Sequence, residues 1–187
     1  ISFYQLTLEP NTLFSKFPPD LPSDEDIWKI GERGSELLNQ RGFHQYEISA
    51  YSTLPSKHNM NYWEFGDYIG IGAGAHGKIT NMATNEIVRT LKMKSPRDYL
   101  LPVKNNNQTS SVTLIENLSF EFMLNSLRLI GGFDPNLYES RTGQPVKVLR
   151  EQMREAENLG LLDVQAHKII PTQKGYSFLN DLQAIFL

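Results

Sequence analysis

Residues 57–78 read KHNMNYWEFGDYIGIGAGAHGK, the stretch of the chain richest in chemically distinctive side chains. Glycines stand at alternate positions 70, 72 and 74, with Gly66 and Gly77 close by. A backbone without Cβ atoms can approach a flat ligand or another segment closely. Tyr62 and Trp63 offer stacking area, and His58 and His76 offer imidazoles that can bind a metal. The pattern reads as a loop over HNMNYW, a glycine-rich strand over 68–76, and a second loop. His58 is the leading candidate ligand; the competing reading is a loop histidine bonded to backbone, with Tyr62 and Trp63 filling core. His76 either points into a cleft or ends a strand in solvent. GIGAG after a strand echoes a dinucleotide fingerprint, but the full GxGxxG, the helix and the acidic ribose contact are not in place.

Working upstream, Ile1, Phe3, Leu6 and Leu8 alternate like a buried strand over residues 1–8, and Pro10, Pro18, Pro19 and Pro22 punctuate a loop. Ser23 followed by Asp24, Glu25 and Asp26 predicts a helix start, with acids at the positive end of the dipole. Ile27, Ile30, Gly34, Leu37 and Leu38 continue at helical spacing until Gly42 closes the helix. Residues 43–53 (FHQYEISAYST) alternate and are aromatic-rich, which predicts a strand. A chain that opens inside a strand pattern, without methionine, reads as a piece of something longer.

Working downstream, residues 78–92 predict a hairpin turning near Thr84 and Asn85. Residues 105–111 (NNNQTSS) lack apolar anchors and read as a linker, which divides the chain into 1–109 and 110–187. Thr113 is expected to cap a helix carrying Ile115, Leu118, Phe122 and Leu129, stopped by Gly131 and Gly132. Pro145 opens another helix, ended by Gly160. Residues 161–170 predict a short hairpin turning at 165–167, and Thr172 starts a last helix. Helix, helix, two-stranded wing, helix outlines a winged-helix-like domain, so the fold class is α+β.

Composition narrows the function. None of the 187 residues is cysteine, so the chain by itself supplies no thiolate for an iron–sulfur cluster. That composition fits a reducing, cytoplasmic setting. No run of about 18 apolar residues occurs, so no transmembrane helix is expected. Nucleic acid is not an expected partner either. Residues 110–187 carry seven Lys or Arg against nine Asp or Glu, and Lys147, Arg150 and Arg154 are balanced by Glu151, Glu155 and Glu157. Phosphate binding requires uncompensated cations. The basic run Lys78, Arg89, Lys92, Lys94, Arg97 and Lys104 reads as a solvated hairpin face, and His44 and His167 as structural.

The segments SFYQLTLEPNT, GFHQYEISAYS, KHNMNYWEFGDYIGIGAGAHGKI, SPRDYL, LRLIGGF and PTQKGYSFLNDL together carry a family resemblance over essentially the whole chain. The sequence resembles the oxygen-independent coproporphyrinogen III oxidases and, more closely, the related HemW-type haem chaperones. HNxxYW followed by DYxGxGxGAHG is a specific combination. The resemblance implies the last strands and helix of a partial radical-SAM (β/α) barrel over 1–109, then a mainly helical, winged-helix-like C-terminal domain over 110–187. It implies that His58 is an axial ligand to haem iron, with Asn59, Tyr62 and Trp63 shaping the pocket. It implies contacts to S-adenosylmethionine at Thr7 and His76, and a [4Fe–4S] cluster whose ligands are absent from this chain. Relatives often carry cysteine two residues before the HN pair, where this chain has Ser56. Three functions follow as expectations: a haem chaperone delivering haem or porphyrin to a recipient haem protein, an oxidase decarboxylating coproporphyrinogen, or a protein-interaction module. An open barrel edge invites pairing, so a homodimer is expected.

Overall fold

A computed structural model describes residues 1–101 and 109–187. Two compact units emerge, residues 1–56 and 57–187.

In the first unit, a single turn of helix α1 (Leu13–Lys16) precedes the long α2 (Asp24–Gln40). The Ser23 hydroxyl accepts from the Asp26 N–H, Asp24, Glu25 and Asp26 fill the first turn, and Gly42 follows with φ 79°. The start and stop signals in the sequence thus place α2 correctly. Residues 43–53 differ from expectation: they fold as a hairpin of β1 (His44–Glu47) and β2 (Ala50–Ser52) rather than one strand. The Gln45 amide donates to the Ile48 carbonyl, and the Ser49 hydroxyl donates to Glu47. These local bonds reverse the chain where alternation alone predicts continuation. Of the strand expected over 1–8, only an isolated bridge between Ser2 and Ala50 forms. Phe3 lies against Gly34 of α2, where a Cβ would come within 2.2 Å of its ring.

The second unit opens with α3 (Lys57–Trp63). An antiparallel sheet follows in the order β3 (His76–Asn81), β4 (Glu86–Lys92), β5 (Thr109–Leu114), with α4 (Pro96–Leu100) before β5. The expected 78–92 hairpin forms, turning through Asn85 at φ 57°. Residues 105–108 of the expected linker lie outside the described residues, and Thr109–Ser111 begin β5. Thr113 pairs with Arg89 inside that strand instead of capping a helix. Asn117 takes the capping role, accepting from the Phe120 N–H at the start of α5 (Leu118–Ser126).

Next come α6 (Pro135–Thr142), which the sequence reading missed, a 3-10 turn (Val146–Leu149) and α7 (Arg150–Asn158). The hairpin β6 (Leu162–Gln165) and β7 (Lys168–Pro171) forms as expected. The last helix is two pieces, α8 (Gln173–Ser177) and α9 (Leu179–Ala184), broken at Phe178. The fold is mixed α+β. Its core gathers Phe122, Leu127, Tyr138, Leu149, Ile169, Leu182 and Phe186, all essentially without solvent contact.

Tyr176 ties α8 to this core by sharing its hydroxyl between the Leu129 and Ile130 carbonyls, at 2.8 and 2.9 Å. Burial pushes its pKa from 10.0 up to about 12. The unfolded chain releases this proton first. The stability it contributes is therefore complete below pH 10 and is lost as pH rises through 12. Tyr176→Phe should flatten the decline in stability between those values, measured by urea unfolding across that range. Parallel declines in both proteins would show that other groups control it.

Candidate functional site

HNMNYW is helical, not a loop. Helix α3 carries His58, Asn59, Tyr62 and Trp63 within two turns. His58 is exposed, and its Nδ1 lies 3.5 Å from the Asn59 side-chain oxygen. In the tautomer with its proton on Nδ1, the imidazole keeps the Nε2 lone pair for a metal. Tyr62, one turn on, places its ring 4.9 Å from the imidazole and 4.4 Å from the ring of Tyr68. Three rings therefore step from the exposed imidazole toward the sheet. Trp63 faces the other way: the Arg128 guanidinium stacks 4.5 Å from its ring, and the Ser126 hydroxyl donates to its carbonyl. The Trp63 indole N–H is buried with no hydrogen-bond partner among the described residues.

The chain leaves α3 through Phe65, a buried non-glycine residue at φ 56°. Asn61 holds this exit, since its amide donates to the Asp67 carbonyl at 2.9 Å and its own carbonyl accepts from the Gly66 N–H at 2.7 Å. A Cβ at Gly66 would lie 2.1 Å from the Asn61 side chain, so the two residues fit only as a pair.

Asp67 then anchors the sheet, accepting from Lys78 Nζ at 3.0 Å, the Thr80 N–H at 2.8 Å and the Thr80 hydroxyl at 2.9 Å. Its burial alone would raise its pKa, but these three donors and the Lys78 charge outweigh that and hold it below the ordinary 3.8. Lys78 has a side chain only 3% exposed, with its ammonium 4.1 Å from the centre of the Phe65 ring. Burial drives its pKa down from 10.5 against the pull of Asp67, and Arg141 and Arg89 add to the fall. Arg89 donates to the Tyr68 hydroxyl at 3.3 Å and pairs with Glu121. The solvated basic face expected here is thus corrected: Lys78 points inward and Arg89 is half-buried. Period-two counting along β3 from buried Gly77 could not show that Lys78 is buried as well.

The glycine-rich segment is irregular rather than a strand over 68–76. Tyr68 makes an isolated bridge to Lys78, and Gly72 and Gly74 then take φ values of 109° and 71°, which break any extended run. Gly70 sits where a Cβ would lie 2.3 Å from the His76 carbonyl. Backbone-to-backbone packing accounts for that glycine. Ile69 and Ile71 stand in solvent, and His76 opens β3 exposed. Thr7 lies in the first unit, exposed and outside any helix or strand.

Among the described residues no three His, Asp or Glu side chains converge as a metal centre. A lone imidazole fits an iron that already has four equatorial ligands, which is the situation in haem. The residues present do not fit an iron–sulfur cluster, for want of any thiolate. No described helix is long and apolar enough to cross a membrane.

Comparison with known proteins bears on these readings. Residues 116–178 match the HemN C-terminal domain family. The chain is 41% identical to "Heme chaperone HemW" of Haemophilus influenzae and 42% identical to that of Escherichia coli, in each case over all of this chain and 49% of the relative. Residues 116–178 thus carry a HemN C-terminal domain, and the whole chain is similar to HemW. It spans about half the length of the HemW relatives it matches. Its fold matches the Escherichia coli structure titled "Coproporphyrinogen III oxidase (HemN) from Escherichia coli is a Radical SAM enzyme", with a TM-score of 0.63 over 89% of this chain and 42% of that one. At 18% identity that likeness speaks for the fold alone. The HemN C-terminal match runs from just before α5 into the start of α9's break at Phe178, so the His58 helix lies outside it. What ties α3 to those relatives is the similarity to HemW over all of this chain.

Proposed function

We propose that this chain forms the haem-binding part of a HemW-type haem chaperone, which passes haem to a recipient haem protein. The observation that carries the reading is the exposed imidazole of His58, set on a short helix whose Tyr62 and Tyr68 rings extend from it. Haem here is cargo. His58 binds iron through Nε2 with Asn59 beside the imidazole, Tyr62 borders the porphyrin, and Trp63, turned toward Arg128, holds the helix from behind. Ser56 in place of the frequent family cysteine leaves the imidazole as the ligand. The name of the HemW relatives supports this assignment.

The same proposal places the end of a radical-SAM barrel in residues 1–109 and a winged-helix-like domain in 110–187, within which the HemN C-terminal match falls. Thr7 and His76 are assigned to S-adenosylmethionine in the longer protein, whose [4Fe–4S] cluster would take its thiolates from outside this sequence. A cytoplasmic setting and self-association as a homodimer belong to the proposal too. Coproporphyrinogen oxidation is the second reading, and the fold match to HemN is what favours it.

The test is a titration of the full-length protein with ferric haem, read at the Soret band. His58→Ala should remove the imidazole-ligated spectrum and weaken affinity at least tenfold, about 1.4 kcal/mol. An unchanged spectrum would take the iron away from His58.

A further inference from the structure

Between α3 and the β3–β4 sheet lies a small cavity of about 40 Å³, whose polar lining comes from Tyr62, Tyr68, Lys78, Arg89 and Asn125, with Phe65 and Gly66 completing it. We propose that it is a carboxylate-binding subsite that seats a propionate group of the porphyrin whose iron meets His58. The inference rests on the haem reading above.

Three observations carry it. The first is the donor set. Lys78 is almost wholly buried, yet its ammonium spends one donor on Asp67 and turns toward the Phe65 ring with the rest. Arg89 uses one nitrogen on the Tyr68 hydroxyl and another on Glu121, which leaves further N–H groups of its five. Guanidinium and ammonium groups with donors to spare are what a carboxylate seeks.

The second is charge. Lys78 feels Arg89 and Arg141 as well as Asp67, and Arg89 faces Glu121. Those five groups leave one positive charge uncompensated. Asp67 is itself 45% exposed at its side chain, so water weakens its hold on Lys78. An incoming carboxylate would neutralise the surplus.

The third is position and size. Tyr62 is shared: one contact of its ring is to His58, and it also lines the cavity. A porphyrin lying across Tyr62 with iron at His58 would extend toward the cavity that Tyr62 also lines. The volume exceeds the 10–15 Å³ or so that one water requires, and it is far too small for the macrocycle. It suits the two oxygens of a single carboxylate.

The test compares ferric haem with its dimethyl ester, in which both propionates are masked, by Soret titration of the full-length protein. The ester should bind at least tenfold more weakly. Arg89→Gln should weaken haem and leave the ester unchanged, so that the two ligands converge. Equal binding of haem and ester by the unaltered protein, with a spectrum that still depends on His58, would overturn the subsite and leave the haem reading intact. A loss of the same size for both ligands in Arg89→Gln would assign that residue a structural role and also overturn the subsite. Failure of haem itself to bind would overturn both proposals together.

Discussion

Asp67→Ala should destabilise the second unit by about 3 kcal/mol, because it strands a buried charge. Lys78 is 3% exposed at its side chain, and Asp67 is its one carboxylate partner among the described ion pairs. Without that partner the ammonium either stays charged in a poorly solvated site or gives up its proton. Deprotonating a lysine of ordinary pKa 10.5 at pH 7 costs about 5 kcal/mol, which sets the ceiling for the charge effect. The Thr80 N–H and hydroxyl lose their acceptor as well. Urea unfolding should show the loss directly, and the melting temperature should fall by roughly 6–12 °C. Asp67→Ala combined with Lys78→Met should recover most of it, since the apolar stem then lies against Phe65 with no charge to compensate. A double variant as unstable as the single one would show that the Thr80 bonds, not the stranded lysine, dominate. The pH dependence has a defined sign. Asp67 has a depressed pKa, so its stabilisation is complete above 3.8 and fades as pH falls through the lower folded value. The alanine variant should lack that acid-side decline.

The same pair explains why part of the site escaped a sequence reading. Lys78 follows a run of glycines and opens a strand rich in polar residues, a context that suggests solvent. What buries it is the fold-back of Phe65 and Asp67 from α3, a contact no local pattern announces. Helix α3 escaped for a related reason. KHNMNYW has no apolar stripe at helical spacing, and its two asparagines favour turns. Its helix is held by tertiary contacts: Ser126 on the Trp63 carbonyl, Tyr68 on Tyr62, and Asn61 closing the exit. The alternation of Ile69 and Ile71 with glycine imitates a strand, but the left-handed Gly72 and Gly74 prevent one. By contrast α2 was legible to within a residue, because Ser23 and Gly42 satisfy its terminal backbone groups locally. The β6–β7 hairpin was legible for the same kind of reason, its turn being built from adjacent residues. The family was legible because motif order survives where geometry cannot be inferred.

Phe122→Ala should cost about 3–5 kcal/mol, as expected for a fully buried aromatic whose site cannot collapse. Phe122 has no solvent contact, and three rings meet it edge-on: Phe65 at 5.8 Å, Phe133 at 5.1 Å and Tyr138 at 5.1 Å. Each such pair adds about 0.5–1.5 kcal/mol beyond area burial. Those partners come from the α3 exit, the turn before α6, and α6 itself. One side chain thus joins the candidate haem-binding helix to the HemN C-terminal domain. Phe122→Leu keeps much of the volume and should lose only about 1–2 kcal/mol, chiefly the ring contacts. The functional consequence separates packing from ligation. In Phe122→Leu the protein stays folded while Phe65 loosens beneath Lys78, so His58 keeps the iron-binding chemistry proposed for it but its helix is less firmly seated. Haem affinity should fall severalfold with the Soret maximum unmoved, whereas His58→Ala moves the maximum. Urea unfolding and haem titration on the same two variants make the distinction. If Phe122→Ala lowers stability by under 1 kcal/mol, the three edge contacts do not form the joint between helix and domain.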